Sequence, residues 1–147
     1  MRPMCDQGNH EVPVSEQHLA ALRRMMVTYG WALQASFANH GEDGDAALIY
    51  TVGLHGRGWP ELVMRDVDPD FGQNVLNTLA GRWVGQDGPD PLGSMIEMIG
   101  TGGRMGAKMD LYPEPAETLR VLKQIYGDEE WPCVVLEVHA VPLRPVS

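Results

Sequence analysis

Tyr50, His55 and Glu61 put the most chemistry into the shortest span of this chain, within Tyr50-Thr51-Val52-Gly53-Leu54-His55 and Trp59-Pro60-Glu61-Leu62-Val63. A histidine close to a carboxylate can act as a base with its orienter, the pairing that general acid–base catalysis uses. The segment also suits recognition, since it reads as a loop between two strand ends, where functional side chains gather. Gly53, Gly56 and Gly58 would let a ligand approach the backbone. Tyr50, Gly53, His55, Trp59 and Glu61 are therefore the expected ligand-binding residues, and His55, Glu61 and His139 the catalytic candidates. The plain alternative is a polar turn in which Trp59 packs and Glu61 accepts from backbone amides. No nucleophile accompanies the pair.

Other polar groupings carry less. Glu137 and His139, two apart on the last expected strand, share one side of it, with Val134, Leu136, Val138 and Ala140 on the other. Such a pair marks either a pocket or the wet face that antiparallel sheets commonly keep. His40, Glu42, Asp43 and Asp45 form an acidic turn, but without the residue order of a calcium loop. They are ordinary turn formers. In Gly100-Thr101-Gly102-Gly103-Arg104-Met105-Gly106 a methionine stands where a dinucleotide loop needs its third glycine, and no helix follows. Ser94 lacks the frame of a nucleophile elbow. Cys5 and His10 are two ligands where a structural zinc site takes four, and Val14 occupies the position of a zincin's second histidine. Neither a cofactor nor a metal is expected.

Composition bounds the partners. The chain has 147 residues, 44% of them hydrophobic, enough for one domain with its own core. No run approaches the roughly 20 apolar residues of a membrane span, and Met1 to Asp6 lacks the apolar block of a signal peptide. The expectation is a cytosolic protein with no membrane contact. Net charge is −9, and the only adjacent basic pair is Arg23-Arg24. Phosphate backbones are bound by clustered Lys and Arg, so nucleic acid is not an expected partner. Nor do the carboxylates line one face, as a mimic of DNA requires; they gather in turns. Cys5 and Cys133 read as free thiols, Cys133 as a small buried hydrophobe. Several methionines (Met25, Met26, Met95, Met98, Met105, Met109) could build an adaptable surface, although core filling is their commoner use.

The elements that must position these side chains follow from capping and periodicity. Residues 1–14 read as an irregular N-terminal arm and 15–147 as a single domain. Ser15 caps a helix with Leu19, Leu22, Met26 and Tyr29 on its apolar side, stopped by Gly30. Residues 31–38 and 46–52 read as a hairpin around the polar turn, and 61–67 as a third strand. Asp68 caps a second helix with Pro69 at its first position; Phe71, Val75, Leu76 and Leu79 form its buried stripe up to Gly85. Two strands, 94–99 and 104–111, flank the glycine-rich turn. A third helix starts around Pro115, carries Leu119, Leu122 and Tyr126 on one face, with Arg120 and Lys123 in its C-terminal half, and ends at Gly127. Cys133 to Val141 is apolar enough for a central strand. The order predicts an α+β fold: a mixed or mostly antiparallel sheet of about six strands with three helices. An edge strand at 31–38 or 104–111 could pair in a homodimer.

Tyr29-Gly30-Trp31, Tyr50 to Leu54, Pro60 to Val63, Leu76-Asn77, Ile125 to Gly127 and Val138 to Ala140 follow one another in a familiar order. Over about residues 16 to 141 the chain resembles the bacterial and phage domain-of-unknown-function family numbered 4262. That resemblance implies no activity, cofactor or catalytic residue. Members of the actinobacterial type often open with two cysteines that have two residues between them, where this chain has Arg2 and Cys5. Members also tend to continue into an Asp-containing, Trp-rich tail, where this chain has Val141-Pro142-Leu143-Arg144.

The leading expectation is a small binding or accessory protein, acting through protein contact or a small ligand near Tyr50–Glu61. The alternative is a small hydrolase-like acid–base enzyme using His55 and Glu61, with His139 lining the same cavity.

Overall fold

The computed structural model describes residues 15–37, 47–100, 103–113, 119–127 and 134–142. The expected N-terminal arm, the acidic turn with His40, and both cysteines lie outside them. Helix α1 spans Glu16–Tyr29, β1 Ala32–Phe37 and β2 Ala47–Val52, followed by a 3-10 turn at His55–Arg57. Strand β3 is Glu61–Val67, α2 Pro69–Gln86, β4 Met95–Gly100, β5 Gly103–Leu111, α3 Arg120–Tyr126 and β6 Val135–Pro142. The strands form one open sheet in the order β1-β2-β3-β6-β5-β4. Every neighbouring pair is antiparallel except β3 and β6, which run parallel. This is the mixed α+β arrangement that the element order predicts.

Strand alternation sorts the core into two layers. Ile49, Leu62, Met64, Met109, Leu136 and Val138 face α2, whose Val75, Leu76, Leu79, Ala80 and Trp83 cover them. Tyr50, Val52, Val63 and Val135 face the other way, under Leu19 and Leu22 of α1 and Leu119, Val121 and Leu122 at α3. Burying each large apolar side chain contributes about 2 kcal/mol, so each helix is fixed by one stripe.

The helix signals act as the sequence predicts. Ser15 Oγ accepts from the His18 amide, Asp68 from the Phe71 amide, and Gly30 takes the left-handed C-cap. Three expected details differ. Tyr29 is 66% exposed and Phe71 39% exposed; in the first turn of α2 it is Gly72, and not Phe71, that meets the sheet, at Ile49 and Val67. The expected start near Pro115 lies outside the described residues; the described helix α3 begins at Arg120, so Arg120 lies in its first turn. Strand β1 is an edge, as the 31–38 reading allows, but β5 (104–111) lies inside the sheet and β4 is the other edge.

A bulge sets the end of β3. Ala47 pairs with Val67 and Ile49 with Met64, so Arg65 and Asp66 stand against the single residue Leu48. Asp66 absorbs the extra length at φ 56°, a left-handed conformation that Asp tolerates. Alternation sets Arg65 on the side of Glu137 of β6, and the bulge returns Val67 to the α2 side, against Gly72.

Candidate functional site

Where β2 ends, the chain must cross to β3, and Glu61 holds that crossing together. Its carboxylate, wholly buried, accepts five hydrogen bonds. The amides of Gly53 (3.0 Å), Leu54 (3.2 Å) and His55 (3.0 Å) converge on it from the turn. Thr51 Oγ1 donates from β2 at 2.7 Å and the Tyr126 hydroxyl from α3 at 2.5 Å. Thr51 in turn accepts from the Leu62 amide at 2.8 Å, and the Tyr126 oxygen from the Gly53 amide at 2.7 Å. Burial pushes the Glu61 carboxyl above the ordinary carboxylate range, opposed by the bonds from Tyr126, His55, Thr51 and Gly53.

Glycine is required at the start of the turn. Gly53 has φ 121°, and a Cβ there would meet Met26 Cγ at 3.1 Å and the Trp31 Cα at 3.2 Å. The turn then closes by the Arg57 amide on Leu54 O and the Gly58 amide on His55 O. Leu54 is buried among the residues packed on α2. Trp59 meets Trp83 edge to face at 6.4 Å, and the Arg57 guanidinium lies 5.2 Å from the Trp59 ring centre. Half-buried His55 sets its ring against Tyr126 at 4.8 Å and 68°. Gly56 and Gly58 have open space where a side chain would be. The outward face of the turn thus carries His55, Arg57 and part of Trp59.

The residues expected at a ligand divide accordingly. Gly53, His55, Trp59 and Glu61 come together, but Glu61 faces inward and Gly53 lies beneath α1. Tyr50 is fully buried, its hydroxyl accepting from the Val121 amide at 3.3 Å, so it anchors the chain at α3 and does not face a ligand. His139 does not join them, which corrects the shared-cavity expectation. Glu61 is level with Val135 in the β3–β6 register. His139 lies four residues further along β6, roughly 13 Å at strand rise, while His55 lies beyond the opposite end of β3. His139 Nε2 instead stands 3.7 Å from Asp110 and 3.9 Å from Glu137, which accepts both Arg65 Nε (2.7 Å) and Nη2 (2.8 Å). Glu137 and His139 do share a side of β6, in a salt-bridged polar face.

Thr51, Arg57 and Tyr126 were not among the expected site residues. A tyrosine in a buried helix stripe needs a partner for its hydroxyl, and that was the available signal for Tyr126. Among the described residues no three His, Cys, Asp or Glu side chains gather as a metal set, and no helix is long and apolar enough to cross a membrane.

No curated protein and no solved structure matches the chain. The family model described as Domain of unknown function (DUF4262) matches residues 25–140, a span that holds the turn, Glu61 and Tyr126, and the chain belongs to that family.

Proposed function

We propose that this chain is a small cytosolic binding or accessory protein that engages a protein or small-ligand partner through the outward face of the His55–Trp59 turn. One observation carries the reading: a buried carboxylate takes five donors to hold a glycine-flanked turn in one shape. A surface fixed in advance loses little entropy on binding. His55, Arg57 and Trp59 are side-chain types enriched where partners dock, Arg and Trp above all.

The acid–base alternative gains less from the geometry. Glu61 holds His55 by its backbone amide, as a loop clamp does, and its buried oxygens are already surrounded by donors. Capture from host lysate, followed by titration calorimetry of the recovered partner, tests the binding reading. The paired substitution His55→Ala with Arg57→Ala should abolish capture while the variant still unfolds in one cooperative transition. Equal capture by wild type and variant, or no partner above background, counts against it.

A further inference from the structure

The donors around Glu61 come from three elements and are not equivalent. Thr51 belongs to β2, already tied to β3 in the sheet; Gly53, Leu54 and His55 belong to the turn; Tyr126 belongs to α3. Helix α3 has seven residues, and a helix so short has no stability of its own in water. Its place depends on Leu119, Val121 and Leu122 packing over Tyr50, Val63 and Val135, on the Val121 amide at the Tyr50 hydroxyl, and on Tyr126. The Tyr126 hydroxyl accepts the Gly53 amide at 2.7 Å and donates to Glu61 at 2.5 Å, so one oxygen serves turn and helix at once. The His55 ring rests on the same phenol.

We infer that Tyr126 is a latch that makes the His55–Arg57 turn and helix α3 open and close as one unit. When the phenol leaves, the Gly53 amide and Glu61 Oε2 each lose a partner, and His55 loses the ring it packs on. The same movement lifts Val121 and Leu122 from Tyr50, Val63 and Val135, so displacement at the turn uncovers an apolar sheet face beside it. This coupling is a property of the free protein and stands apart from reading the turn as a recognition surface.

Native-state hydrogen exchange on the full chain tests the latch. In rising sub-denaturing urea, the amides of Gly53, Leu54 and His55 and those of α3 should converge on one opening isotherm, below that of β3 and β6. Tyr126→Phe should speed exchange in both sets by about 10- to 100-fold, since the bond to Glu61 and the bond from the Gly53 amide are both lost, with most β3 and β6 amides unchanged. Thr51→Val removes a donor from the same carboxylate without touching α3. It loosens the turn at Glu61, so the turn and α3 should speed together, along with the Leu62 amide, and an effect that leaves α3 unchanged overturns the latch. Two separate wild-type isotherms overturn the latch, as does a Tyr126→Phe effect confined to α3, spread evenly over the sheet, or absent. Should Tyr126→Phe not fold, the wild-type isotherms decide.

Discussion

Replacing Glu61 by Gln keeps the shape of the side chain and changes what it offers. The new amide brings two protons into a site where five neighbours are already donors. At least two donors lose their acceptor, and each buried group left unmade costs about 1–3 kcal/mol. Glu61→Gln is therefore expected to lower the urea-unfolding free energy by about 3 kcal/mol with little change in slope. A second expectation concerns pH. Burial raises the folded Glu61 carboxyl above its ordinary 4.5, so the folded protein keeps that proton to higher pH than the unfolded chain. The stability this contributes is complete below about pH 4.5 and is lost as pH rises through the raised folded value. Urea unfolding across that window should show wild type losing stability relative to Glu61→Gln as pH climbs. From the sequence, the spacing of His55 and Glu61 pointed to this place, and the alternative in which Glu61 takes amides describes its bonding. Tyr126 was hidden because it lies 65 positions from Glu61, and no local pattern joins them.

At the scale of elements, α2 rests on the sheet through a missing side chain. A Cβ at Gly72 would stand 2.9 Å from both Ile49 Cδ1 and Val67 Cγ2. Ile49 is sealed and Val67 is stiff at χ1, so neither yields easily. Gly72→Ala gains up to about 1 kcal/mol of helix propensity but overpacks the contact by about 1–3 kcal/mol. A net loss of about 1 kcal/mol in urea unfolding is expected. The far end of α2 is tied to the following loop by Asp90, which accepts Arg82 Nε and the Trp83 indole, both at 2.9 Å. The Arg82 hydrogen bonds hold the Asp90 carboxyl below its ordinary 3.8, helped by Gln86 and Trp83 and opposed by partial burial. The stability this contributes is present above about pH 3.8 and is lost as pH falls through the depressed value. Thermal melts from pH 5 down to pH 2 should show a shallower acid decline for Asp90→Asn than for wild type. Capping made these helices readable, since Ser15, Asp68 with Pro69, and Gly30 each act locally. Which residue of a turn meets the sheet is a tertiary matter, and there Tyr29 and Phe71 depart from their periodicity.

For the whole molecule, the decisive fact is that β6 lies between β3 and β5. Its apolar run signalled a central strand, and so it is. Its two neighbours were not readable, because the parallel pairing with β3 joins Glu61 to Val135 with no turn to announce it. Among the described strands, β4 and β5 join the rest of the sheet through β6. A chain ending at residue 133 should therefore show no cooperative unfolding transition by circular dichroism, since it lacks the strand on which both halves close.

The same placement bears on how the protein is made. Until Val135–Pro142 has emerged and docked, β1-β2-β3 and β4-β5 lack the strand that joins them, and each presents a bare flank. Those flanks are complementary to one late-arriving segment and to any stray extended peptide. Synthesis thus passes through an interval in which shielding by a chaperone matters more than at any later time, and the emergence of β6 ends it.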